Sequence, residues 1–304
     1  MIPQTIEQSQ VARFLPKRPH DSHKGMFGTV VVIGGASGMT GAALLAARAA
    51  LKLGAGCVHA VLLAENAPSV DFVQPELMIH KAGFVMPAQA GIQFDKNTGF
   101  PLGRELETSL RSFSRERQVI VAGCGMGSDA TAHKLLTEVL HSTASMVLDA
   151  DALNLIATHH ELRDRLIARK NPTVLTPHPG EAARLLSCST KQIQEDRIAS
   201  VQQLAGMFSC SVVLKGANSL CATGKGLFVN HTGNPGMSAP GMGDVLAGMI
   251  ASFIAQGLNA DDALLLAVHL HGAAGDELAK QRAIGMTATE VTDQARSLLN
   301  QWGS

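Results

Sequence analysis

The apolar β-branched run Thr29 to Ile33 ends in Gly34-Gly35, and an Ala/Leu-rich stretch, Gly41 to Leu53, follows at helical spacing. Gly54-Ala55-Gly56 stops that helix, and Cys57 to Leu63 reads as the next strand. Strand, helix and strand in this order form a β-α-β unit, which implies a parallel sheet with a right-handed crossover. The rhythm continues at Val119 to Ala122, Met146 to Leu148, Thr173 to Leu175 and Ser211 to Leu214, all short apolar runs typical of buried strands. Each ends in polar or glycine-rich residues. These are Gly123-Cys124-Gly125-Met126-Gly127, Asp149-Ala150-Asp151, Thr176-Pro177-His178-Pro179-Gly180-Glu181 and Lys215-Gly216. Late helices are expected over 244–256, 260–280 and 286–298. The pattern predicts an α/β protein in three layers, α/β/α, around a mainly parallel central sheet. Ligands of such sheets sit at the carboxyl ends of the strands, where these motifs cluster.

With 304 residues, 46% of them hydrophobic, the chain can bury a large core. We read residues 1–24, polar and proline-interrupted, as an N-terminal arm, and 25–300 as one domain. The segment 81–104 shows no sustained period and is expected to be a surface insertion or loop. Formal net charge is zero, so no nucleic acid partner is expected. Every apolar segment is interrupted, so no membrane span is expected, and the N-terminus lacks the order of a signal peptide. The cysteines at 57, 124, 188, 210 and 221 form no C-x-x-C pair, as in reduced thiols of a cytoplasmic protein.

The segment Asn234 to Gly248, N-P-G-M-S-A-P-G-M-G-D-V-L-A-G, carries the strongest chemical signal. Small residues lead to Gly241-Met242-Gly243 and the carboxylate Asp244, and an apolar helical stripe follows. A tight loop entering a helix offers free backbone N–H groups and a dipole to anionic oxygens. A carboxylate there suits a base that takes a proton from a hydroxyl attacking phosphorus; the competing reading is an ordinary N-cap. No G-x-G-x-x-G or Walker A pattern is present, which disfavours a dinucleotide-binding dehydrogenase or a P-loop kinase. Asp149 is open between holding a metal and capping, whereas Asp151 reads as a cap ahead of Ala152 to Ile156. His178, between two prolines, reads as a ligand contact. Glu181 is divided between organising a metal-bound water and capping a helix over 181–186. Lys215 to Ser219 suits either a phosphate contact or a hairpin turn, and the two are compatible.

Taken in order, G-G-A-S-G-M-T-G-A-A, P-E-L-M, G-C-G-M-G, D-A-D-A-L-N, T-P-H-P-G-E, V-L-K-G-A and the Asn234 to Gly248 segment strongly resemble the ADP/ATP-dependent NAD(P)H-hydrate dehydratases, a branch of the ribokinase-like fold. The likeness runs from about residue 24 to 299. It implies a repair reaction: ADP-dependent dehydration of the S epimer of NADHX or NADPHX to NAD(P)H, with release of AMP and phosphate and with Mg²⁺ assisting. Matching motif to motif, the resemblance implies that Asp244 contacts the hydrate and serves as base. It makes Gly241, Met242 and Gly243 the anion hole, and Lys215, Gly216, Ala217, Asn218, Ser219 and Gly243 the nucleotide contacts. It places Ala42, Gly127 and His178 in the hydrate pocket and names no metal ligand. It also implies a cytoplasmic homo-oligomer, a tetramer, working alongside an NAD(P)H-hydrate epimerase; the chain's length suggests the stand-alone form. Two positions depart from the pattern. Cys124 stands where the family usually has proline, and Pro240 where it has glycine. Proline lacks an N–H, so the expectation is that the amides of 241–243 bind the anion. The rival expectations are a ribokinase-like kinase of a vitamin-precursor alcohol and a silent nucleotide-binding protein.

Overall fold

The computed structural model describes residues 2–82 and 117–303. Most of segment 81–104 therefore lies outside the described residues; its first residue, Lys81, ends a strand rather than opening an insertion.

Among the described residues, ten strands form one sheet: β1 (Gln4–Thr5), β2 (Thr29–Gly34), β3 (Cys57–Leu62), β4 (Met78–Lys81), β5 (Gln118–Ala122), β6 (Ser145–Leu148), β7 (Thr173–Leu175), β8 (Ser211–Leu214), β9 (Ser219–Thr223) and β10 (Gly226–Asn230). Their order is β1-β10-β9-β8-β7-β6-β5-β2-β3-β4. Among the described strands β9 alone runs against the rest. The four residues 215–218 between β8 and β9 are too few for a crossover, so they make a hairpin and the pair is antiparallel. β1 and β10 were not expected from sequence. β1 is too short to show a period, yet it pairs with β10 and leaves Ile6 and Val11 buried.

Alternation along the strands builds a core on each face of the sheet. Val30, Val32, Val119 and Val121 pack with helices Thr40–Lys52, Met242–Ala255, Ala260–Ala279 and Ala288–Trp302. Val31, Ile33, Ile120 and Ala122 face the helices of the other layer, Ala130–His141 through Arg197–Phe208. The result is the expected three layers around a mainly parallel sheet. No described helix is long and apolar enough to cross a membrane.

Helix Thr40–Lys52 is alanine-rich, so helix Met242–Ala255 packs close against it. A Cβ on Gly248 would lie 2.1 Å from the Ala46 carbonyl oxygen. Gly248→Ala must push the helices apart and is expected to cost about 1–3 kcal/mol. Urea denaturation measures this, and an unchanged midpoint would contradict the close packing.

Candidate active site

Neighbouring strands β8, β7, β6, β5 and β2 present their carboxyl ends side by side. These ends carry Lys215, the His178–Glu181 turn, Asp149, the Gly123–Gly127 loop and Gly34-Gly35, in that order. β3 lies to one side of β2 and β5 to the other, so the row includes the point where the strand order reverses. Helix Met242–Ala255 brings Asp244 to the same row.

That helix begins two residues before the expected 244. Gly241 takes the left-handed conformation (φ +88°) and forms the N-cap, which places Gly243 and Asp244 in the first turn. The Val245 N–H is bonded to the Gly241 carbonyl at 3.0 Å. The amides of Met242, Gly243 and Asp244 precede that bond and have no acceptor in the helix. Pro240 lies just outside this turn.

Asp149 is buried, and Lys215 Nζ reaches its Oδ1 at 2.6 Å. The same ammonium is 3.9 Å from Glu181 Oε2. Burial lowers the Lys215 pKa, but Asp149 and then Glu181 more than reverse this, and the net shift is upward. Burial first, and Asp149 second, raise the Asp244 carboxyl to about 6, against the pull of Cys124 and Lys215. Burial raises Glu181 to about 7, with Lys215 opposing. Cys124 is fully buried, hydrogen-bonded to Asp244 and held well above the usual thiol range by burial and then by the Asp244 and Asp149 charges. Cys124, Asp149 and Asp244 offer ligand atoms within 4.8 Å of one another.

Lys215, Gly216, Ala217, Asn218, Ser219, Met242 and Gly243 all line a single cavity of about 500 Å³. Ala42, Gly127 and His178 lie outside it. Ala42 packs beside Gly125, next to Cys124 in the chain; a Cβ on Gly125 would be 3.0 Å from its own. His178 reaches Lys215 through Glu181: its Nε2 is 3.2 Å from Glu181 Oε1.

Two local readings change. Asp151 does not cap a helix: helix Ala150–Thr158 starts before it, and its carboxylate accepts the Gly127 N–H at 2.8 Å, fixing the loop after β5. Glu181 lies in the first turn of helix Pro179–Leu185, which starts two residues earlier than expected because proline suits the first helical position. Its Oε2 accepts the His178 N–H at 2.7 Å while His178 Nδ1 accepts the Gly180 N–H at 2.9 Å, a reciprocal cap that also fixes the imidazole. Asn234, the first residue of the segment singled out above, also lines the cavity, as do Asn230, Thr232 and His271, which were not singled out from sequence. For His271 the available signal was a polar residue on the apolar face of a buried helix.

The profile of the NAD(P)H-hydrate dehydratase family matches residues 30–296. The ADP-dependent (S)-NAD(P)H-hydrate dehydratase of Neisseria meningitidis serogroup B is 39% identical over 292 residues, 93% of this chain and 89% of that protein. A bifunctional NAD(P)H-hydrate repair enzyme of Coxiella burnetii is 36% identical over 97% of this chain, which spans 55% of that longer protein. Among solved structures, the ADP/ATP-dependent NAD(P)H-hydrate dehydratase of Bacillus subtilis, co-crystallised with ATP and Mg²⁺, superposes with a TM-score of 0.81 at 27% identity, covering 99% of each chain.

Proposed function

The chain belongs to the NAD(P)H-hydrate dehydratase family, and we propose from this premise that it converts the S epimer of NADHX or NADPHX to NAD(P)H with ADP, releasing AMP and phosphate. The observation that carries the mechanism is the raised carboxyl of Asp244 in the first turn of a helix whose leading amides are free. The C6 hydroxyl of the hydrate gives its proton to Asp244, and its oxygen forms a bond to the β-phosphorus of ADP as the bond to AMP breaks. The phosphate ester then breaks at carbon as C5 loses a proton, and the ring double bond forms. The amides of Gly241, Met242 and Gly243, with that of Asp244 beside them, stabilise charge on the transferring group, and the left-handed Gly241 sets their direction. Lys215 meets the phosphates as a point charge, and Lys215 to Ser219 with Gly243 hold the nucleotide in the cavity. Ala42, Gly127 and His178 border the hydrate. Burial, then the Lys215 and Arg184 charges, lower the His178 pKa, so its ring contacts substrate neutral at neutral pH.

Mg²⁺ fits this donor set: Asp149, whose carboxylate offers an oxygen within 4.8 Å of one of Asp244, would hold it, while the thiol of Cys124 stays protonated and outside the shell. When bound, it neutralises phosphate charge. The family resemblance also supports a cytoplasmic homo-oligomer, a tetramer, partnered with an epimerase activity. The bifunctional names of the longer relatives accord with that partnership.

Because the free amides start after Pro240, Pro240→Gly is expected to change the rate by no more than about twofold. Loss or gain of one working oxyanion donor would change it by about 10²–10³. Steady-state kinetics of the variant check this, and a large gain in turnover would place the missing amide in the anion site.

A further inference from the structure

Three chain segments bring a thiol and two carboxylates together at the carboxyl ends of the strands. Cys124 follows β5, Asp149 follows β6, and Asp244 comes from the first turn of helix Met242–Ala255. One ligand atom from each, a sulfur and two oxygens, lies within 4.8 Å of the other two. The backbone holds these positions. The Gly35 N–H donates to the Cys124 carbonyl at 3.0 Å, and the Asp149 N–H donates to the Ala122 carbonyl at 3.1 Å. Lys215 occupies Oδ1 of the buried Asp149. Oδ2 receives no hydrogen bond among the described residues, and it faces the turn that carries Asp244: a Cβ on Gly243 would lie 3.3 Å from it.

Zinc binds thiolate at about 2.3 Å and carboxylate oxygen at about 2.0–2.2 Å, which sets the ligand atoms of one ion about 3–4 Å apart. The observed triangle accommodates that spacing. Mg²⁺ prefers oxygen and leaves the thiol aside, whereas thiolate selects softer ions. The two charges of such an ion and that of Lys215 match a thiolate and two carboxylates, so no net charge is buried. Cys124 and Asp149 are closed to solvent and form the inner side of the triangle. Asp244 is half-buried, and the ion enters on its side. Cys124 is also one of the chain's two departures from the family pattern.

We propose that Cys124, Asp149 and Asp244 form a site for a thiophilic divalent cation of the Zn²⁺ type, which shuts the enzyme off by occupying its base. On binding, the thiol gives its proton to solvent, the sulfur and two carboxylate oxygens bond the ion, and a water completes the tetrahedron. The loss of turnover rests on the reading of Asp244 as base; the site itself does not. Titrating Zn²⁺ into the full chain against a chromophoric chelator tests it, with Cd²⁺ added in parallel to read the ultraviolet charge-transfer band of a cadmium–thiolate bond. The wild type is expected to take up one Zn²⁺ and to show the band. Losing a group that only orients a ligand costs about 10- to 100-fold in metal affinity. Cys124→Ala, which removes a ligand, is therefore expected to weaken Zn²⁺ by about 100-fold or more and to lose the band. Asp149→Asn is expected to weaken Zn²⁺ as well. Cys210→Ala, at the opposite end of β8, is expected to keep both signals. Cys124→Ser replaces the alanine variant should that fail a thermal-melt check. Equal Zn²⁺ affinity in wild type and Cys124→Ala, or no Zn²⁺ binding by the folded wild type, overturns the proposal. In the turnover assay Zn²⁺ is expected to silence the wild type, a chelator to restore it, and Cys124→Ala to keep its own zinc-free rate. Zn²⁺ held through Cys124 with turnover undiminished overturns the shut-off, and Asp244 as base with it, while leaving the site in place.

Discussion

Asp244→Asn is expected to lower turnover by about 10²–10⁴-fold while leaving ADP affinity nearly intact. The carboxylate lies in the first turn of helix Met242–Ala255, and the nucleotide cavity is lined by its neighbours Met242 and Gly243 but not by Asp244 itself. Asparagine keeps the shape and removes the proton acceptor. Equal loss of turnover and ADP binding would instead make Asp244 structural. The pH profile follows from the same group. Its carboxyl is raised to about 6, and a base must be ionised, so the rate should rise with pH through about 6 and then level off. A flat profile below that range would assign the proton to another group. Stability should move the other way. The folded protein holds this proton more tightly than an unfolded chain, whose aspartates titrate near 3.8. Ionising Asp244 therefore weakens the fold as pH rises from about 4 to about 6. At neutral pH the ligand-free Asp244→Asn protein should melt higher than wild type, by about 2–4 °C for each kcal/mol relieved, and the difference should fade near pH 4.

Lys215→Ala is expected to weaken both the fold and nucleotide binding. Its ammonium is 2.6 Å from the buried Asp149 carboxylate and 3.9 Å from that of Glu181. Removing one member of such a pair leaves a charge buried without compensation, at a cost of about 3–5 kcal/mol. Losing a charged contact to phosphate should also weaken ADP by about 10- to 100-fold. The double variant Lys215→Met with Asp149→Asn separates the effects: its melting temperature should recover toward wild type while its ADP affinity stays low. An unchanged ADP affinity in Lys215→Ala would remove Lys215 from the nucleotide site, and an unchanged melting temperature would remove the ion pair from the fold's support.

The layers of the fold were legible because their signal is local. Val30 to Ile33 is apolar throughout, as a strand buried on both faces must be, and glycines mark where the chain leaves the sheet. β1 and β10 were missed for a different reason: pairing at that edge is decided by β9, whose reversal follows from the short 215–218 connection. The loop before Asp244 could be read because an anion site needs small residues ahead of a helix. The Lys215–Asp149 pair could not, since its members are 66 positions apart and only the sheet order brings β6 and β8 within reach. Asp151 was misread because a carboxylate near a helix start looks like a cap in sequence; its true partner, the Gly127 N–H, belongs to another strand's loop.

The central claim is tested most directly by following NADH absorbance when the purified protein meets enzymatically hydrated NADH with Mg²⁺, ADP or ATP being added in turn, and AMP and phosphate being quantified. Recovery of NADH with ADP, with AMP and phosphate formed in equal amounts, is the predicted result. No recovery with either nucleotide, from folded protein that still binds ADP, would contradict it.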